Sequence, residues 1–418
     1  DTDCNVGNLG TILGVMVGLD AIPEKWLTPV HDFLACSSVI GSMNIKDAPA
    51  CALEIARLGY AIAGETPSER YRAILDGSGA TYHFELPRST HSFRLQGDGQ
   101  GVLENTADAA HSGTRSLSLR YTGNMPAEVY QKTFYMPADF HDSRYDPSFS
   151  PLLYPGQTVR AYVRSGENTD GLSANLVLRG WDGDVLCASG SQPLAQDSWA
   201  CLTLKANCPK DSLIVSAGVQ ISGKDCSTFR IFIDDFDISG SADYRIDFAK
   251  ERTMVWTLMH REISQMTYLR GIWSLENGWL SASGTSYCEG YTGFYKWGDS
   301  EVSTVIRPVR GDIFRLLFRV QGAIRSYAAT LKPGKLVLEK NENGYAELSA
   351  VPLTWKHGET VTLSASAHGN ALRITAGDAV IEFIDEDTPY LYGQIGWGLE
   401  NGRMLVRHAD LQAKPNTK

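Results

Sequence analysis

The hydrophobic pattern of this chain changes period once, and that switch limits the folds open to it. Up to the breaker Asp76-Gly77-Ser78-Gly79, apolar residues recur at helical spacing. Beyond it, short β-rich segments alternate apolar and polar residues between Gly, Pro, Asn and Asp punctuation. In the helical part, Leu9, Ile12, Leu13, Met16 and Leu19 make one stripe, and Gly10, Gly14 and Gly18 make a second, bare one. A Gly in a helix interior costs about 1 kcal/mol relative to Ala, so three on one face predict close packing against another helix. A second helical piece is expected over Trp26 to Ala35. A third is expected to open on Asp47 as N-cap with Pro49 in its first turn, to carry Leu53, Ile55, Leu58 and Ile62, and to close on Gly64. An amphipathic run, Ser68 to Leu75, follows.

The β-rich part divides in two. Ser116 to Tyr121, Thr158 to Val163, Ala174 to Leu178, Ser212 to Ile221 and Phe229 to Ile233 predict one antiparallel sandwich ending near Ser239-Gly240. A connector over 241–267 contains Met254 to Met266, which fits strand or helix. A second set of strands then includes Val302 to Ile306, Ile313 to Val320, Lys335 to Leu338, Thr360 to Ser366, Leu372 to Thr375 and Met404 to His408. The expected fold class is therefore multidomain: a small all-α piece over 1–78, a β-sandwich over 79–240, the connector, and a second β-sandwich over 268–418.

Charge and motifs remove several function classes. Lys+Arg 38 against Asp+Glu 48 gives a net charge of -10, which repels a phosphate backbone, so no nucleic-acid partner is expected. The longest apolar stretch, Leu9 to Ile22, is broken by Asp20 and falls short of the roughly 20 residues a spanning helix needs. No H-E-x-x-H, G-x-S-x-G or C-x-x-C motif occurs, which disfavours a zinc protease or a serine hydrolase. Cys187, Cys201, Cys208 and Cys226 lie in one region and would allow three pairings in an oxidising compartment. Bacterial extracellular and cytoplasmic locations both stay open.

Asp1-Thr2-Asp3-Cys4-Asn5 leads into the Gly-striped helix, with Ile22-Pro23 and Trp26 after it. Two carboxylates one residue apart can turn their oxygens to one hard cation such as Mg²⁺ or Mn²⁺, and can equally form a solvated acidic cap on the helix dipole. Over residues 1–75 the order of Asp1, Asp3, the glycines, Ile22, Pro23, Trp26 and the Asp47 helix resembles the C-terminal part of the ADP-ribosylglycohydrolase family. That resemblance implies Asp1 and Asp3 as metal ligands, with Cys4 where the family presents a Ser or Thr hydroxyl. It also implies a missing first half, supplied by an N-terminal segment or a partner chain, without which this chain would be inert.

Ala110-His111-Ser112-Gly113-Thr114-Arg115-Ser116-Leu117-Ser118-Leu119, Pro155-Gly156-Gln157 and Ile233-Asp234-Asp235-Phe236 make residues 82–240 similar to jelly-roll carbohydrate-binding modules. Such modules often hold a structural Ca²⁺ near the last strand, which implies Asp235 as a ligand; Asp234, Asp235 and Asp237 read equally well as solvent-facing strand residues. Gly271-Ile272-Trp273 with Asn277-Gly278, Gly334-Lys335-Leu336-Val337-Leu338 and Gly393-Gln394-Ile395-Gly396-Trp397 make residues 268–412 similar to concanavalin-like, laminin-G-like sandwiches. Glycans stack their C–H faces on exposed rings, so Tyr130, Tyr135, Tyr154 and Trp181 in the first sandwich, and Tyr295, Trp297 and Trp397 in the second, are candidate glycan-binding residues against the alternative of core packing. Asp385-Glu386-Asp387 reads as a charged turn, or as carboxylates flanking a glycosidic bond.

Two functions follow as expectations. The first is the C-terminal portion of a metal-dependent, ADP-ribosylglycohydrolase-like glycoside hydrolase with accessory glycan-binding sandwiches. The second is a non-catalytic carbohydrate-binding or scaffolding protein whose ligand is a carbohydrate or a glycosylated molecule.

Overall fold

The computed structural model describes residues 2–140, 147–223 and 226–416. A small N-terminal helical region precedes two β-sandwiches. Its helices run over Asp3–Val17, Glu24–Leu27, Ala48–Ala63 and Glu69–Asp76. The helix expected from Asp47 to Gly64 has both caps: the Asp47 carboxylate accepts the Ala50 N–H at 2.7 Å, and Gly64 turns left-handed at φ 68°.

Elsewhere in this region the structure departs from the sequence expectation. Phe33–Ala35 is a strand paired with Ile45–Asp47, not the end of a helix. The Phe33 ring packs edge-on against Tyr135 and Phe140, so tertiary contact overrides local propensity. The helix Asp3–Val17 buries no residue, and a Cβ added at Gly10, Gly14 or Gly18 would meet nothing within 4 Å. The helical neighbour implied by the glycine stripe is absent among the described residues.

The first sandwich has two antiparallel sheets. One orders Trp199–Lys205, Thr158–Ser165, Cys226–Ser239, Ser116–Gly123 and Gln100–Thr106. The other orders Gln192–Pro193, Ser173–Arg179, Ser216–Ser222, Ala127–Lys132 and Arg94–Gln96, with Val185–Ala188 added on Ser173–Arg179. Alternation places Leu117, Leu119, Val159, Ala161, Val163, Leu176, Val219 and Ile231 between them, each essentially inaccessible.

The second sandwich is organised by its last strand. Gln394–Pro415 takes Ile313–Gly322 along its first half and Trp297–Arg310 along most of its second, so one 22-residue strand crosses from one layer to the other. Phe314, Leu316, Phe318, Leu336, Leu338, Leu363, Ile374, Trp397 and Leu399 fill the space enclosed. Within the expected connector, Ala242–Asp247 pairs with this same strand, and Thr253–Val255 pairs with Arg261–Ile263. The segment around residues 39–42 seats against both β units: Val39 C=O accepts the Thr267 hydroxyl at 2.8 Å, and Ser42 Oγ accepts the Tyr295 N–H at 2.8 Å. A side chain at Gly41 would collide with Ser150, so the close approach there requires glycine. Among the described residues no helix is long and apolar enough to cross a membrane.

Candidate functional site

Strand phase decides which side chains of the five-stranded sheet reach solvent. Val159, Ala161 and Val163 enter the core, so Arg160, Tyr162 and Arg164 point away from it. Leu202 and Leu204 do the same for Trp199, Cys201 and Thr203 on the neighbouring strand, and the register sets Cys201 opposite Tyr162 and Trp199 opposite Arg164. The loop before Ser116 lays His111 flat on Tyr162, with ring centroids 3.5 Å apart and planes 16° apart. Trp199 stands edge-on to His111 at 5.7 Å.

A bulge holds this arrangement. Between Asp234 and Asp237 the register of Cys226–Ser239 against Thr158–Ser165 shifts, and Asp235 adopts φ 45°. Both carboxylates thereby face the His111 loop. Asp234 Oδ2 accepts the N–H groups of His111 at 2.8 Å and Ser112 at 3.3 Å. Asp235 Oδ2 lies 2.7 Å from His111 Nδ1, while its Oδ1 accepts the hydroxyls of Ser112 at 2.9 Å and Ser78. Burial, with the Asp235 charge beside it, pushes the Asp234 carboxyl up to about 7. A hydrogen bond with the Cys201 thiol, helped by burial, raises the Tyr162 hydroxyl. Arg164 pairs with Asp197 at 2.9 Å and Arg160 with Asp237 at 3.7 Å, so guanidinium and carboxylate groups rim the three rings. Such a face can stack on a flat, polar, hydroxyl-bearing ring while the rim bonds its hydroxyls.

The metal expectation is overturned. Asp1 lies outside the described residues. Asp3 and Cys4 stand exposed on the first turn of the solvent-facing helix. Among the described residues no group of three or more His, Cys, Asp or Glu side chains comes together that could hold a metal ion. The Mg²⁺ or Mn²⁺ half-site, and with it the metal-dependent hydrolase, therefore has no assembled ligand set. Asp235, the expected Ca²⁺ ligand, spends its oxygens on hydrogen bonds with Ser78, Ser112 and His111.

The seven aromatic candidates separate by burial. Tyr135, Tyr154, Trp297 and Trp397 are each at most 2% exposed and present no face to a ligand. Tyr154 packs on Tyr244 and Trp297 where the sandwiches meet, and Trp397 donates its indole N–H to Thr304 Oγ1 at 3.1 Å inside the second core. Tyr130, Trp181 and Tyr295 are half-buried. Arg252 covers Trp181 at 5.0 Å, Tyr295 meets Tyr392 edge-on at 5.3 Å, and burial raises the Tyr130 hydroxyl. Asp385 is a buried cap, with Lys340 Nζ at 2.8 Å and the Tyr327 hydroxyl on the same carboxylate. Sequence reasoning missed Tyr162 and Trp199. The polar-apolar alternation of Arg160-Ala161-Tyr162-Val163-Arg164 carried the signal for Tyr162.

The assembled fold defines a multidomain β-sandwich protein with a helical N-terminal region. No family model matches the chain, and no curated protein matches it. Among solved structures, the carbohydrate binding module CBM66 from Bacillus subtilis is similar at 17% identity, covering 35% of this chain and 95% of that one, with a TM-score of 0.33. The N-terminal CBM22-1-CBM22-2 tandem domain of Xyn10C from Paenibacillus barcinonensis is similar at 13% identity over 80% of this chain and 96% of that one, with a TM-score of 0.29. A protein of unknown function with a galectin-like fold from Bacillus subtilis gives 12% identity, 36% and 89% coverage, and a TM-score of 0.30. The β-sandwiches of this chain rest on its own strand order. The resemblance of residues 1–75 to ADP-ribosylglycohydrolases finds no counterpart in these comparisons.

Proposed function

We propose that the chain is a non-catalytic carbohydrate-binding protein whose binding unit is the sandwich over 79–240. The observation that carries this reading is the outward face of the five-stranded sheet, where Tyr162, His111 and Trp199 cluster among Arg160, Arg164 and Asp235. The His111 side chain keeps 29% of its surface accessible while its position is held by Asp235, so the ring is both presented and pre-oriented. Stacking supplies affinity and the rim supplies selectivity for hydroxyl geometry. Tyr130, Trp181 and Tyr295 are secondary candidates at other points of the surface. The test is a glycan array probed with the full chain, its Tyr162→Ala variant and its Trp199→Ala variant. Binding that is insensitive to chelator, unaccompanied by turnover and lost in both variants is the expected result. Equal binding by both variants overturns the placement.

A further inference from the structure

A cavity of about 700 Å³ lies between the N-terminal helical region and the first sandwich, and neither His111, Tyr162 nor Trp199 lines it. Its volume is within the range of small-molecule sites. Leu19, Leu27, Pro49, Leu86, Val102 and Leu103 supply apolar wall; of the three lining carboxylates, Glu24 is paired with Arg88 and Glu104 faces Arg230, while Asp32 has no guanidinium or ammonium partner among the described residues.

The disposition of hydrogen bonds sharpens that difference. Arg88 is consumed in holding the helical region down, donating to Leu19 C=O at 2.7 Å, to Ile22 C=O at 3.1 Å and to Glu24. Asp32 Oδ2 accepts the Thr90 N–H at 2.6 Å and its hydroxyl at 2.8 Å, whereas Oδ1 accepts nothing from the described residues. His31 Nε2 lies 2.6 Å from Phe93 C=O, so that nitrogen donates and Nδ1 of the neutral ring is left as an acceptor. Glu104 is held by a 3.8 Å contact to Arg230 and a 3.5 Å bond from Ser118. His31 and Asp32 are both left-handed, at φ 48° and 57°, a costly backbone for side-chain-bearing residues, and one that places both at the cavity wall.

We infer that this cavity binds a small organic cation: an amine whose ammonium donates to Asp32 Oδ1 and His31 Nδ1 and whose apolar body lies on the leucine and proline wall. The groups left over are acceptors, and the excess charge is negative, so an anion of the same shape is rejected. Neither depends on the glycan face.

Isothermal titration calorimetry of the full chain with 2-phenylethylamine, 2-phenylethanol and phenylacetate tests this. The amine is expected to bind at least tenfold tighter than phenylacetate, with the alcohol between them. Asp32→Asn, which keeps an oxygen for Thr90, is expected to remove most of the preference, and Ala52→Trp, which fills the cavity, to abolish binding of all three. Circular dichroism confirms that each variant is folded, and Glu104→Gln repeats the charge test without touching the Thr90 contacts. No measurable heat with the amine, equal affinity for phenylacetate, or amine binding that survives Ala52→Trp overturns the inference.

Discussion

Two sheet faces of this molecule carry the same chemical vocabulary and put it to opposite use. On the first sandwich, Tyr162, His111 and Trp199 stand among arginines and aspartates with their rim open to water. On the second, Arg315 is 2% exposed between Glu339 at 2.9 Å and Glu400 at 2.7 Å, with the Tyr345 ring 3.9 Å from its guanidinium. Glu289 beside it accepts the hydroxyls of Tyr291 at 2.5 Å and Tyr345. Burial pushes the Glu339 carboxyl up, and Arg315, Lys332 and Thr330 more than reverse it. The difference is who answers the polar groups. Where buried carboxylates, a guanidinium and a ring close on one another the face is structural, and where rings stay open to solvent the face can recognise something else.

The comparison breaks most readily at Arg315. Arg315→Ala leaves the buried Glu339 with Lys332 and Thr330 alone and is expected to cost about 3 kcal/mol, whereas Tyr162→Ala costs about 1 kcal/mol. Urea unfolding of both variants checks this, and a larger loss from Tyr162→Ala would reverse the assignment of roles. The next effect is in pH. Burial, with His91 nearby, holds the buried His83 ring down at about 4, from an ordinary value of 6.5. The unfolded chain then binds a proton between pH 6.5 and 4 that the folded chain does not. Stability present above pH 6.5 is therefore lost as the pH falls through that window. The total reaches about 3 kcal/mol at 1.36 kcal/mol per unit. His83→Asn is expected to flatten this acid limb, read by thermal melts from pH 7 to 4.

Binding effects come third. Trp199→Ala should weaken glycan affinity roughly tenfold, about 1.4 kcal/mol, while Trp181→Ala, already covered by Arg252, leaves it nearly unchanged. Titration of an array-identified glycan separates the two, and parity between them would remove the His111 face from consideration. The smallest effect is chemical selectivity. Hydrogen bonding from Cys187 draws the Cys208 thiol down to about 7 and pushes Cys187 up, while burial raises Cys288. Iodoacetamide at neutral pH should therefore modify Cys208 before Cys187 or Cys288, as peptide mass spectrometry will show.

Much of the fold was legible because its signals are short. The Asp47 cap, the Gly64 stop and the alternation of Ile313–Gly322 are each encoded within one element. Phe33–Ala35 was misread as helix because its strand partner and its ring contacts lie outside any local window. The candidate site was legible only in fragments. The Ala110–Leu119 motif contained His111, and the end of the sandwich contained Asp235, but nothing local said that the two would meet at 2.7 Å. Large aromatics were visible in the sequence; whether each pointed inward was a matter of strand phase, which sent Trp297 and Trp397 into the core and Tyr162 and Trp199 out of it.

By itself the sequence determined the switch from helical to strand periodicity, the caps of the Ala48–Ala63 helix, the acidic balance and the absence of the common hydrolase motifs, because periodicity, capping and charge are local or additive properties. Tertiary structure alone decided which rings remained open and which carboxylates were already satisfied. The partners of Asp235 stand 157 and 123 residues away at Ser78 and Ser112. A carboxylate's availability depends on what else competes for its lone pairs, and that competition exists only once the chain has folded back on itself.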